Sequence, residues 1–397
     1  MLEKERTMKY DFIKAKPYTV GEMTKDDKII LSFDRKHHIK LSRLAKVIFD
    51  KFDGNSTLEE IQVSLLHENV SISLDDLSEF VEKILVPNAL IEGTEYKPNK
   101  DSLLWFKVNL FETDRLSFIF DKLTFFYNIK VVFLMLFLIV CTISYSTYEI
   151  ISNKVVLHNV NSLKILLIVA IDMIIHEVGH IVAAYKYNVK VGKIGFGIFL
   201  FYPVMYVDMS NIWRCKNTKR MVVDIGGTYF QLFLLIVLAI IATITGDMNY
   251  HVANVSIFVA VIVNLLPIIK LDGYWLFCDA LGLDNLSKNS FDRLKSEHQK
   301  HETSSASKSK QYMIFSDLYL VTIIVALIIT IGYSINIIMN WKNLQNSINT
   351  IYLDFARLDV NRGLFHLNEI FLYILPLIFV IFMSFSSIIK RIIRRIT

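Results

Sequence analysis

The sequence predicts a mainly α, polytopic helical membrane protein of about six transmembrane helices, preceded by a soluble N-terminal α/β domain. Three observations carry that prediction. Of the 397 residues, 53% are apolar and 28 are Phe, with a mean hydropathy of +0.42, values typical of membrane-embedded chains rather than soluble enzymes. The apolar residues gather into runs of about twenty, the length a helix needs to cross a hydrocarbon layer about 30 Å thick. The first 100 or so residues contain no such run and have an ordinary charge content.

Residues 20–95 read as one compact α/β domain, within a predicted boundary of 1–99. Lys28-Ile29-Ile30-Leu31-Ser32-Phe33-Asp34 and His37 to Ile39 predict a hairpin that turns at Asp34-Arg35-Lys36. Between 41 and 52, Leu44, Val47, Ile48 and Phe52 fall on one helical face, and Asp53-Gly54 stops the helix. Ser56-Thr57-Leu58-Glu59 reads as a capping box that opens a second helix through Leu66. Ser73-Leu74-Asp75-Asp76 opens a third, ending before Pro87, and Ala89-Leu90-Ile91-Glu92 adds a closing strand. Neither 58–66 nor 74–85 carries the basic face of a DNA recognition helix, so no nucleic-acid partner is expected.

Residues 100–127 form the predicted connector. Leu103-Leu104-Trp105-Phe106-Lys107-Val108-Asn109-Leu110-Phe111 is too polar to span and too apolar to float free, which suits a segment lying at the interface. The third predicted domain, 128–397, holds the spans: 129–150, 163–185, 222–244, 251–270, 313–340 and 367–389. The apolar run 194–207 is broken by Gly195, Gly197 and Pro203 and is too short to cross. It reads as a membrane-dipping loop or hairpin; across 189–206, Val189-Lys190-Val191 and Ile194-Gly195-Phe196 suggest either a short strand with an exposed edge or an amphipathic anchoring loop. The loop 283–312, rich in Ser, Lys and His, reads as a mobile cytoplasmic loop.

Orientation follows from the basic loops. Lys186, Lys190, Lys193, Arg214, Lys216, Lys219 and Arg220 flank the 194–207 run, and the C-terminal Lys390-Arg391-Ile392-Ile393-Arg394-Arg395 is strongly basic, whereas 246–250 has no positive charge. The positive-inside rule then puts both termini in the cytoplasm of a multi-pass protein in the cell membrane, with the lipid bilayer as its surroundings. The start, Met1-Leu2-Glu3-Lys4-Glu5-Arg6, leads into no apolar core, so no cleavable signal is expected. Cys141, Cys215 and Cys278 lack CxxC spacing and predict neither a disulfide framework nor a cysteine metal site.

Within the second span stands His176-Glu177-Val178-Gly179-His180. Residues four apart share a helix face, so the two imidazoles can meet one metal ion, with Glu177 beside it to take a proton from water. The setting sharpens the signal. About twelve Ile, Leu and Val residues between 163 and 185 favour insertion by roughly 4 to 7 kcal/mol, and Asp172 with Glu177, if charged, would oppose it by roughly 5 to 7 kcal/mol. Such groups belong inside a protein bundle. A catalytic zinc takes three protein ligands, and Asp272, between Pro267 and Gly273 at the end of the fourth span, offers a carboxylate. Alone, Asp272 also fits a helix-terminal residue at the membrane surface; beside two histidines it completes a His₂Asp set. Asp172 lies one turn before His176 and reads as either a hydrogen-bond partner of a ligand or an interhelical carboxyl, while His158 and His251 read as solvated residues of outer loops.

HEVGH at 176–180 together with NLLPIIKLDG at 264–273 resembles the site-2 protease family of intramembrane zinc metallopeptidases. That resemblance implies His176, His180 and Asp272 as Zn2+ ligands, Glu177 as general base, and peptide-bond hydrolysis within the membrane. It further implies substrate contact at Asn264 and at Gln231, the latter standing in Gly227-Thr228-Tyr229-Phe230-Gln231, where the family often has Gly-Pro-x-x-Asn. The N-terminal region resembles the PqqD-like domain, or RiPP recognition element, a small winged-helix fold. The matching residues are Ala45-Lys46-Val47-Ile48-Phe49-Asp50-Lys51-Phe52-Asp53-Gly54, Thr57-Leu58-Glu59-Glu60-Ile61 and Asn88-Ala89-Leu90-Ile91. The implied partner is the leader of a ribosomally made precursor peptide, with a peptide-modifying enzyme or exporter as further partners. Two other readings stay open: a site-2 protease in regulated signalling, and a non-proteolytic membrane receptor or export partner.

Overall fold

A computed structural model describes residues 11–24, 27–34, 37–96, 104–155, 160–199, 202–267, 270–283, 285–287, 290, 310–367 and 370. The sixth expected span (367–389), most of the 283–312 loop, the basic tail and His158 lie outside the described residues. The chain divides into two compact units, one of 1–124 with 181–223 and the other of 125–180 with 224–397.

The first unit opens with strands β1 (Thr19–Met23), β2 (Lys28–Ser32) and β3 (His38–Ser42), paired antiparallel in that order. The expected hairpin is β2–β3, in register from Lys28↔Ser42 to Ser32↔His38; β1 is an addition. Helices α1 (Arg43–Phe49), α2 (Leu58–His67) and α3 (Leu74–Phe80) follow, the last continuing as one wider turn through Leu85. Each begins at a hydroxyl residue that satisfies an otherwise orphaned N–H: Ser42 accepts from Ala45, Thr57 from Glu60 and Ser73 from Asp76. The capping box is one residue later than the sequence suggested: Thr57 pairs reciprocally with Glu60, and Ser56 instead bonds Asp53. Replacing Thr57 by Ala removes one half of that box and costs about 1 kcal/mol. Amide exchange in 58–67 of the full-length protein should then run about fivefold faster, with 28–42 unchanged.

Leu31, Leu41, Ile48, Phe49, Phe52, Leu58, Ile61, Leu65, Leu77, Val81, Leu85 and Leu90 form the core of this domain. Leu44, expected on the inner face of α1, is exposed, because the helix starts at Arg43 and turns Phe49 inward beside Ile48. The expected closing strand is a single bridge, Ala15↔Ile91.

The same unit holds a second antiparallel sheet of β4 (Leu104–Glu112), β5 (Lys193–Phe199) and β6 (Tyr202–Val207). The 194–207 run is a hairpin, as one of the two expectations had it, but β5 is the central strand, so the outer strand of the hairpin is β6. Cross-strand rows Phe106–Ile198–Pro203 and Val108–Phe196–Met205 give the sheet one apolar face. Part of the connector read as an interfacial segment is thus the strand β4. A short helix, α4 (Ser117–Leu123), follows it.

The second unit carries α5 (Ile129–Ser152), α6 (Ser162–Tyr185) as far as His180, α8 (Gly226–Thr245), α9 (Met248–Leu265), α10 (Asp272–Leu281), α11 (Lys310–Met339) and α12 (Trp341–Ala356). A helix α7 (Asn217–Asp224) leads into α8. Among the described residues five helices are long and apolar enough to cross a membrane: Ile129–Ser152, Ser162–Tyr185, Asn217–Thr245, Met248–Leu265 and Met313–Met339. They match the first five expected spans. The protein is therefore a polytopic helical membrane protein with a small N-terminal sheet-and-helix domain.

Two turns set the geometry of this unit. Gly246 ends α8 in the left-handed conformation (φ 68°), and Asp247 caps α9 by accepting from Asn249. At the other end α9 stops at Leu265 rather than near 270, because Pro267 forces Leu266 into extended backbone (ψ 131°). The chain then restarts a helix at Asp272. Ile168, Leu234, Leu235, Leu238, Ala253, Ile257 and Val261 pack α6, α8 and α9 together. His251 is not in an outer loop: it lies in α9, 2% exposed, bonded to Ser146 of α5 at 3.1 Å. Asn254 joins the same Ser146 and the Leu235 carbonyl, both at 3.0 Å. Burial hides these polar groups from lipid, and their mutual bonds offset the loss of water.

Candidate metal centre

His176 and His180 stand one turn apart on α6, with ring centroids 4.8 Å apart. Their Nε2 atoms face each other at 3.1 Å. Asp272, the first residue of α10, brings Oδ2 to 3.0 Å from Nε2 of His176 and 3.3 Å from Nε2 of His180. The three residues expected to form a ligand set thus converge, and they are the one His/Cys/Asp/Glu group of that kind among the described residues. The break at Pro267 makes this possible, since an uninterrupted α9 would carry position 272 further along its axis.

The donor set suits a divalent cation. A tetrahedral site with arms of about 2.0–2.1 Å has ligand-to-ligand edges of about 3.3 Å, and the three measured separations are 3.0, 3.1 and 3.3 Å. Nδ1 of His176 lies 2.9 Å from Oε1 of Gln231, an acceptor only. With Oε1 of Gln231 toward the ring, Nδ1 is the nitrogen that donates, and Nε2 of His176 keeps a lone pair facing a carboxylate oxygen and a second ring nitrogen. A cation placed among these three atoms would take up their converging lone pairs.

The neighbours of the cluster are equally specific. Asn264 donates from Nδ2 to Oδ2 of Asp272 at 2.8 Å. Gln231, which accepts from His176, donates from Nε2 to Oδ2 of Asp172 at 2.6 Å. The structure thus brings Asn264 and Gln231, the two residues singled out for substrate contact, against members of the ligand set. Glu177 is half-buried on the same helix, near enough to interact electrostatically with both imidazoles and Asp272. His180 is 9% exposed, Gln231 8% and Asp172 5%.

Close helix contact underlies the arrangement. A Cβ at Gly179 would sit 2.2 Å from the carbonyl oxygen of Gly226, so α6 and α8 approach to a distance only glycine permits. Tyr127 donates to the Gly179 carbonyl at 3.0 Å and Tyr229 to that of Phe126 at 2.8 Å, fixing the pair from the side. A Cβ at Gly227 would fall 2.5 Å from Nε2 of His180 and 2.6 Å from Nε2 of His176.

Sequence reasoning did not find Gly227 as a floor for the imidazoles. It also missed Asp224, whose carboxyl shares a hydrogen bond with Asp279 and interacts electrostatically with His180 and Asp272. Both stand in segments where nothing but three-dimensional proximity marks them.

Five membrane-length apolar helices among the described residues and the converging His176, His180 and Asp272 define a multi-pass membrane protein with a candidate metal centre. The chain is similar to a Bacillus subtilis (strain 168) protein named "Putative peptide zinc metalloprotease protein YydH", with 25% identity over 119 residues. The match covers 30% of this chain and 47% of that relative, so it spans less than half of the relative's length. No family model and no solved structure matches the chain.

Proposed function

We propose that this protein is an intramembrane zinc metalloendopeptidase of the site-2 protease type. It processes a small ribosomally synthesised, modified peptide or its leader, held first by a PqqD-like N-terminal domain. The observation that carries the reading is the convergence of His176, His180 and Asp272 on one point beside membrane-length helices. The β1–β3 sheet followed by three capped helices supports the leader-binding role of residues 1–99, and the name of the Bacillus subtilis relative supports peptides as substrates. Residues 128–397 then form the protease domain, with both termini assigned to the cytoplasm by the positive-inside rule.

His176, His180 and Asp272 would hold the ion. When bound, zinc supplies Lewis acidity that polarises the scissile carbonyl and lowers the pKa of water. Glu177 takes the proton of the attacking water and passes it to the leaving amine. Asn264 and Asp272 share a hydrogen bond that keeps the carboxylate oriented, and Asn264 has a second amide group atom left for substrate. A helical substrate hides its peptide bonds in its own ladder and reacts only once extended. The outer edge of β6 can receive such a strand through its unpaired backbone groups.

The test uses the host. In cells carrying Glu177→Gln, mass spectrometry of small peptides should find an uncut precursor that wild-type cells convert, encoded by a short reading frame near a peptide-modifying enzyme. Identical peptide inventories in the two strains would reject the proteolytic reading and favour a receptor or export role. Accumulation of an uncut membrane-anchored regulator instead would favour signalling.

A further inference from the structure

Asp172 carries a cost that the ligand set does not explain. It is 5% exposed within an apolar helix, and among the described residues one of its oxygens has no hydrogen-bond partner. Its other oxygen, Oδ2, is 2.6 Å from Nε2 of Gln231. The same Gln231 amide faces Nδ1 of His176 with its oxygen at 2.9 Å. A buried carboxyl in a membrane-length helix is expensive to keep unless it has a use.

The direction of the chain of bonds supplies one. An amide has a donor end and an acceptor end, and the two ends have opposite consequences for His176. With Oε1 toward the ring, Nδ1 must carry the proton and Nε2 keeps its lone pair for a metal. With Nε2 toward the ring, Nδ1 becomes the acceptor, the proton moves to the other nitrogen, and His176 can no longer be a ligand. Nothing in Gln231 itself prefers either orientation. Oδ2 of Asp172 accepts from Nε2 of Gln231, so Asp172 draws the NH₂ end to itself and leaves Oε1 for His176.

We propose that Asp172, acting through the amide of Gln231, is a positioning residue that fixes the ligating tautomer and ring orientation of His176. This rests on the metal-site reading above and deepens it. Partners of this kind, one bond removed from a metal ligand, typically change metal affinity about 10–100-fold. In other sites the carboxylate meets the histidine directly; here a neutral amide stands between them and transmits the polarity from α6 through α8 and back.

The experiment uses full-length protein in detergent, with Zn2+ competed by a chelator and Co2+ absorption as a probe of ligand geometry. Asp172→Asn has nearly the same shape but can donate as well as accept, so it removes the directional constraint. It should bind Zn2+ about 10–100-fold more weakly and alter the Co2+ spectrum. The double variant Asp172→Asn/Gln231→Glu puts a donor at 172 and an acceptor-only group beside His176, and should recover most of the lost affinity. Wild-type affinity and an unchanged Co2+ spectrum in Asp172→Asn would overturn the proposal, as would a double variant no tighter than the single one. Those results would leave the metal site standing, because wild-type protein would still bind Zn2+; a wild-type protein that binds no Zn2+ would end both.

Discussion

Glu177→Gln protein should retain one Zn2+ per chain while cleaving its precursor about 10²–10⁴-fold more slowly than wild type, the range for loss of a general base. The separation of the two readouts follows from the geometry. The polar contacts that hold the three-residue cluster run His176 to Gln231, His176 to His180, and Asp272 to Asn264. Glu177 is in none of these three contacts; it lies on the same helix and interacts with the cluster through its charge. An amide at this position keeps the shape of the side chain but cannot take a proton from water. Parallel zinc analysis and single-turnover cleavage of the purified precursor decide the matter. Full cleavage with bound zinc would remove Glu177 from the mechanism, and loss of zinc would make it structural.

Gly227→Ala should abolish metal binding, with zinc affinity reduced more than about 100-fold, while the helices stay folded. The added carbon would lie 2.5 Å from Nε2 of His180 and 2.6 Å from Nε2 and Cε1 of His176, well inside contact distance. Retreat is blocked on the His176 side by Gln231 and along α6 by the Gly179–Gly226 approach. The opposing effect is small: Gly227 is the second residue of α8, where Ala gains at most the roughly 0.5–1 kcal/mol by which it is favoured over Gly in a helix interior. A variant with unchanged or slightly raised Tm and no metal is therefore expected. Circular dichroism in detergent together with metal analysis of the same sample measures both. Zinc held at the wild-type level would mean the imidazoles do not lie against α8.

How much of this was legible in the sequence depended on range. The HExxH pair and its helix were readable because the i, i+4 spacing is local and the flanking apolar run is long. Asp272 was readable because Pro267 and Gly273 announce a break, although the helix end five residues earlier was not anticipated. The N-terminal helices were marked by Ser42, Thr57 and Ser73, with the capping box misplaced by one because Ser56 and Thr57 are both good caps. Strand β1 escaped notice: Thr19-Val20-Gly21-Glu22-Met23 alternates weakly and contains a glycine. Strand β4 was obscured by apolar residues on both faces, and its partner β5 lies more than eighty residues on. His251 was misread because its burial comes from Ser146 on another helix. The link from Asp172 through Gln231 to His176 was invisible for the same reason, as it joins α6 to α8 across 59 positions.

In the proposed centre one metal ion is held jointly by α6 and the start of α10. The most direct measurement is the zinc content of purified full-length protein, wild type beside Asp272→Ala, by mass spectrometry after removal of loosely bound metal. The account predicts one zinc per wild-type chain and close to none in the variant, with both proteins equally helical. Equal zinc in the two would contradict it, because the aspartate 3.0 Å from His176 and 3.3 Å from His180 would then play no part in holding the ion.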